Sequence, residues 1–168
     1  MLALLVGPYL VARQRRNLDP RAAAAYGLSL LFFFTGLGHF VETEAMAQML
    51  PPWVPARVPL VHLTGVLEWA LALGFFIPET RRSAGWMAMA VLIAFFPANV
   101  YAALNFVPMG GHAWGPEYLL VRAPLQVAIL LWTYWFTVSA VTRGGGTETV
   151  PALRAAIMAT LWSRKPSP

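Results

Sequence analysis

Cysteine is absent from the 168 residues. Its absence excludes disulfides, thiolate metal sites, iron–sulfur clusters and covalent haem attachment through a C-x-x-C-H motif. Charge is scarce as well: Asp, Glu, Lys and Arg make up 11% of the chain, against about a quarter in soluble domains. No phosphate-binding glycine loop, nucleophile elbow, dinucleotide fingerprint or H-E-x-x-H spacing appears, so no metal site is expected. A convincing internal repeat is also missing. The formal net charge of +5 is not a nucleic-acid footprint, because the basic residues fall into a different pattern.

What is present is apolar sequence in long runs, 58% of the chain in all. Four stretches, Ala22–Val41, Val58–Pro78, Ala84–Val107 and Tyr118–Val141, each have the roughly twenty residues that a helix needs to cross a bilayer. They are too long for ordinary core elements. The expected fold is therefore an all-α membrane protein, a bundle of four transmembrane helices over residues 1–142, with the lipid bilayer as its surroundings. Met1–Ala12 adds a short apolar helix, about 18 Å long at 1.5 Å per residue. It lacks a basic n-region and an A-x-A-like site, so a cleaved signal peptide is not expected. Residues 143–168 read as a flexible cytoplasmic tail. Gly144-Gly145-Gly146 would be its hinge, and Pro151–Trp162 a short amphipathic segment at the inner leaflet.

Ten of the twelve Lys and Arg residues fall on one side of this topology. Arg13, Arg15, Arg16 and Arg21 precede the first long span, Arg81 and Arg82 join the second and third, and Arg143, Arg154, Arg164 and Lys165 follow the fourth. Only Arg57 and Arg122 lie toward the other side. The positive-inside rule then places the C-terminus and the Arg81–Arg82 turn in the cytoplasm, in keeping with a bacterial inner membrane protein. The two outer connections carry Trp53 and Trp114, residues suited to the membrane–water interface. The first holds Pro51, Pro52 and Pro55, which disfavour helix and predict a stiff, extended segment.

Each span carries polar residues on one helical stripe. The first has Thr35, Gly38, His39 and Glu42; the second has Val61, Thr64, Gly65, Glu68 and Ala72, with His62 on its flank. The third has Ala98, Tyr101, Ala102 and Asn105, with Asn99 beside them; the fourth has Arg122, Gln126, Thr133 and Thr137. Small residues let helices approach closely and polar ones bond across them. The stripes should turn inward and meet in the outer half of the bundle. Pro97 frees the carbonyl of Ile93 and would kink the third span there.

Ionisable and amide groups in hydrocarbon are costly and mark a functional site by default. The candidate ligand-binding set is His39, Glu68, Asn99, Arg122 and Gln126. Glu42, His62, Tyr101 and Asn105 are secondary candidates, and Glu42 and Glu44 also suit a solvated helix end. A carboxylate as deep as Glu68 needs a partner. Arg122, as the only cation within the spans, is the one expected. Such a pair serves equally to fix helix register. His39 suits a hydrogen bond to a ligand carbonyl or to another helix.

Five runs carry a family resemblance. Phe34-Thr35-Gly36-Leu37-Gly38-His39-Phe40, Met49-Leu50-Pro51-Pro52-Trp53-Val54-Pro55 and Leu63-Thr64-Gly65-Val66-Leu67-Glu68 are three of them. Phe96-Pro97-Ala98-Asn99-Val100-Tyr101 and Arg122-Ala123-Pro124-Leu125-Gln126 are the others. Together they resemble the DoxX-like family of small integral membrane proteins over about Ala22 to Phe136. The resemblance implies a compact four-helix bundle. It also implies links to quinone-dependent sulfur oxidation, to an oxidative-stress oxidoreductase complex, or to receptor assembly. Without cysteine no thiol step can occur in this chain, but a quinone needs only an apolar slot and one or two hydrogen-bond partners.

Three functional expectations follow. The first is a site for a lipophile such as a quinone, within a membrane redox system with partner proteins. The second is a non-catalytic membrane subunit or assembly factor, with the same polar residues as interhelical glue. The third is an isomerase-like lipid enzyme with Glu68 and His39 as an acid–base pair.

Overall fold

The computed structural model describes residues 2–15 and 19–139, and among these the chain is helical without a strand. Six α-helices form: α1 Leu2–Gln14, α2 Pro20–Val41, α3 Thr43–Gln48, α4 Arg57–Phe76, α5 Arg81–Leu104 and α6 Leu119–Thr133. A π-helical turn, Tyr134–Val138, continues α6, and a 3-10 segment, His112–Tyr118, precedes it. Four helical stretches, Pro20–Val41, Arg57–Phe76, Pro78–Leu104 and His112–Val138, are long and apolar enough to cross a membrane. The molecule is an integral membrane protein built as the expected four-span bundle, with α1 as a short extra helix. The expected tail over residues 143–168, its glycine hinge and its amphipathic segment lie outside the described residues.

Local chemistry sets the helix boundaries. Asp19 caps α2, its carboxylate accepting from the amides of Arg21 (3.0 Å) and Ala22 (3.3 Å), with Pro20 in the first turn. Helix α4 stops at Phe76, two residues before Pro78, which cannot continue it. Helix α5 begins at Arg81, three residues ahead of the expected apolar span, and ends at Leu104. Hydropathy marks what hydrocarbon tolerates, whereas backbone hydrogen bonding carries the helix on into its charged first turn. The last span is not one regular helix. A 3-10 entry, Pro124 and the π turn divide it.

Helix α2 is the centre of the bundle and the most buried span. It packs most extensively on α4 and on α1. The α2–α4 seam is built on glycine: a Cβ at Gly36 would stand 3.1 Å from the Gly65 carbonyl oxygen, and one at Gly65 would stand 2.7 Å from His39 Cβ. Close backbone approach of this kind is what small residues permit between membrane helices. Ser29 Oγ bonds the Ala72 carbonyl at 2.7 Å farther along the seam. Helix α1 is held by a similar contact. Its Leu4 and Leu5 carbonyls face Gly27, where any Cβ would overlap the Leu5 oxygen. Pro8 has already released the Leu4 carbonyl from its helical partner. Tyr9 of α1 meets Trp132 and Phe136 ring to ring at 5.3 and 5.2 Å.

The dry core lies toward the Arg81 end. Leu28, Leu31 and Phe32 pack there with Leu71, Phe75, Ala84, Ala88, Val91 and Ile129. Arg81 ties that end together, donating from Nε to the Phe75 carbonyl at 3.0 Å and lying over the Tyr26 ring at 5.1 Å. At the opposite end the proline-rich connection departs from the expected extended form. It turns, with the Val54 amide bonding the Pro51 carbonyl at 3.0 Å. Pro52 occupies the turn position for which its fixed φ is suited. Helix α3 precedes it, and Ala56, left-handed at φ 51°, leads into α4.

Candidate functional site

The glycine seam delivers His39 of α2 to α4. His39 Nδ1 lies 3.0 Å from the Val61 carbonyl and 3.0 Å from Thr64 Oγ1. Its Nε2 faces Glu68 Oε1 at 3.6 Å. The side chains retain 12% and 8% of their exposure. This is the ion-pair contact among the described residues. The second oxygen, Glu68 Oε2, is buried and has no hydrogen-bond partner among them.

The remaining candidates come from α5 and α6. Asn99 is buried and donates from Nδ2 to the Phe95 carbonyl at 2.9 Å, one helical turn back. Its Oδ1 is thereby turned toward α6 and accepts from Arg122 Nε at 3.1 Å. Gln126, one turn below Arg122, donates to the Leu92 carbonyl of α5. Phe95 links the two groups. Its carbonyl receives Asn99, and its ring lies 6.3 Å from the His39 ring.

The direct Glu68–Arg122 pair does not form. Helix α4 packs on α2 and turns Glu68 to His39, whereas α6 packs on α5 and turns Arg122 to Asn99. Helical spacing fixes which residues share a face; it does not say which neighbouring helix that face meets. Four of the five leading candidates thus form two adjacent pairs, and Gln126 ties α6 to α5.

The secondary candidates sit farther out. His62 is exposed, stacked on Phe40 at 5.4 Å, with Nε2 3.2 Å from Thr43 Oγ1. Glu42 and Glu44 are exposed at the α2–α3 junction, as expected of a solvated helix end. Asn105 caps α5, donating to the Tyr101 carbonyl at 2.8 Å, and Tyr101 is half-buried. On the third span the inward face is turned by one position from the expected stripe, to Asn99, Ala102 and Ala103.

Thr64 escaped the sequence reading as a site residue, and His112 as a buried one. Thr64 was visible on its stripe, but its grip on His39 depends on the α2–α4 contact. His112 is buried at the start of the 3-10 segment before α6, its Nδ1 2.9 Å from the Met109 carbonyl and its ring 4.9 Å from that of Tyr118. It lies outside the α-helical stripes, so their spacing could not flag it. No group of three or more metal-binding side chains occurs among the described residues. A separate cavity of about 350 Å³ lies between α3 and the start of α4, lined by Glu44, Gln48, Ala56 and Arg57.

The fold and the paired polar groups define a small helical membrane protein with a His–Glu pair held inside the bundle. Residues 28–137 match the family described as Domain of unknown function (DUF8561), and the chain belongs to that family. No curated protein and no solved structure matches the chain.

Proposed function

We propose that the Trp53 end of the bundle receives the polar end of a lipophilic small molecule, with His39, Glu68, Asn99, Arg122 and Gln126 as the lining groups. A quinone in a membrane redox system is the leading example. One observation carries this reading: two polar pairs from four different spans stand side by side across Phe95, in a part of the molecule where apolar packing would cost less. Structural cross-linking alone could be met by Ser and Thr, as Ser29 does on the Ala72 carbonyl. The DoxX-like resemblance of the five sequence runs supports the same reading and brings with it the prospect of redox partner proteins.

The bonds of Asn99 and Gln126 to α5 carbonyls favour a second reading, a non-catalytic membrane subunit in which these groups act as glue. Titration of the purified protein with a short-chain quinone separates the two. Trp69, next to Glu68 and stacked on Phe40 at 4.8 Å, is the reporter. Saturable quenching that weakens in His39→Ala and Glu68→Gln supports the ligand site. An unchanged signal, with co-purified lipid the same in all three proteins, transfers support to the subunit reading.

We further place the protein in a bacterial inner membrane with the Arg81–Arg82 turn and the C-terminus in the cytoplasm. The ten-to-two division of basic residues supports that orientation. The cysteine-free chain makes the test clean. A cysteine at exposed Trp53 should react with an impermeant maleimide added to intact cells, and one at exposed Ser83 should not. The reverse pattern inverts the topology.

A further inference from the structure

The hydrogen bonds around His39 fix where a proton must sit. The Val61 carbonyl can only accept, so the His39 Nδ1 at 3.0 Å from it carries a hydrogen. Thr64 Oγ1 donates its own hydrogen to the same carbonyl at 2.8 Å, and so it too can only accept from Nδ1. The other ring nitrogen of a neutral imidazole therefore bears a lone pair. It faces Glu68 Oε1 at 3.6 Å, inside the bundle. The contact is longer than a hydrogen bond, and His39 gives Glu68 Oε2 no hydrogen at all.

Glu68 Oε2 is buried on a side chain 8% exposed, with no donor among the described residues. Thr64, one helical turn back on α4, is committed to the Val61 carbonyl and supplies none. A single hydroxyl group on an apolar body would supply one.

We infer that Glu68 Oε2 is the acceptor for a hydroxyl group, so that the site holds a hydroquinone or other phenol-type lipophile more tightly than the corresponding quinone or ether. This rests on the lipophile reading proposed above and narrows its substrate class to a hydrogen-bond donor.

The test is isothermal titration of the full chain in detergent with para-nonylphenol and with its methyl ether, which match in shape and differ in the donor. The wild type should bind the phenol at least about tenfold more tightly, the range for a hydrogen bond to a charged or partly charged acceptor. Glu68→Met, which has no acceptor oxygen, should bind the two equally. Glu68→Gln preserves the shape: its NH₂ can satisfy His39 Nε2 while its carbonyl replaces Oε2. It should retain a reduced, few-fold preference, which keeps the test informative if the methionine variant fails to fold. Equal binding of phenol and ether by the wild type overturns the inference and leaves the lipophile reading standing. A preference that survives in Glu68→Met overturns it too, because the discrimination then arises elsewhere. Binding of neither compound, together with no quinone response, sinks both.

Discussion

The two ends of the bundle are packed on opposite principles. Toward Arg81 the helices meet through Leu28, Leu31, Phe32, Leu71 and Phe75. Polar side chains there bond to backbone carbonyls, as Thr133 does to Ile129, Thr137 to Thr133 and Ser29 to Ala72. The indole N–H of Trp132 is the buried side-chain donor there without a partner. Toward Trp53 the helices meet through His39–Glu68 and Asn99–Arg122, and a carboxylate oxygen is left over. One end holds the protein together; the other keeps polar groups in place at a net cost. Such a division is what a rigid scaffold carrying a site looks like.

Mutations should separate the two ends. The largest effect belongs to the dry end. Phe75 is fully buried against Phe32, and Phe75→Ala should cost about 3–5 kcal/mol through the cavity it leaves. Thermal unfolding in detergent should show the loss, and a melting temperature within a degree of wild type would contradict this assignment of the core. Next comes Gly65→Leu at the α2–α4 crossing, where His39 Cβ and the Phe40 ring already occupy the space. Overpacking there should cost about 1–3 kcal/mol, and it should also part His39 from Glu68. Loss of quinone quenching without loss of helicity would be its signature.

Smaller effects are expected among the polar groups. Arg122→Ala removes the donor to Asn99 Oδ1 and should cost about 1 kcal/mol, with Arg122→Lys restoring little because a point charge cannot reproduce the planar Nε contact. The smallest stability change is expected for Glu68→Gln, within about 0.5 kcal/mol of wild type. The amide keeps the shape of the side chain and can donate to His39 Nε2. If Glu68→Gln proves as damaging as Phe75→Ala, the polar end is structural after all, and the contrast between the two ends collapses.

Most of the fold was legible from hydropathy. The four spans fall within a few residues of the helices, because twenty apolar residues in a row have few other uses. The stripe on α4 was also readable: Val61, Gly65, Glu68 and Ala72 are all buried. The pairing of Glu68 was not. Charge complementarity pointed to Arg122, whereas the Gly36–Gly65 contact brings His39 closer. A one-dimensional pattern gives the face of a helix and not its neighbour. The proline-rich connection misled for a related reason. Proline excludes helix interiors, but it suits a turn as well as an extended segment. Buried His112 left no mark, since the short 3-10 segment it begins lies outside the α-helical stripes.

The order of tight packing along the chain has a temporal consequence. Helices α1, α2 and α4, the most closely packed group, all lie within the first 76 residues. Membrane helices form first and associate afterwards, and chains emerge from the ribosome N-terminus first. The Gly27 and Gly36–Gly65 seams can therefore close while α5 and α6 are still being made. The His39–Glu68 half of the site exists at that stage, and the Asn99–Arg122 half arrives with the last two spans. Biogenesis thus sets the His39–Glu68 contact before the helices that complete its surroundings.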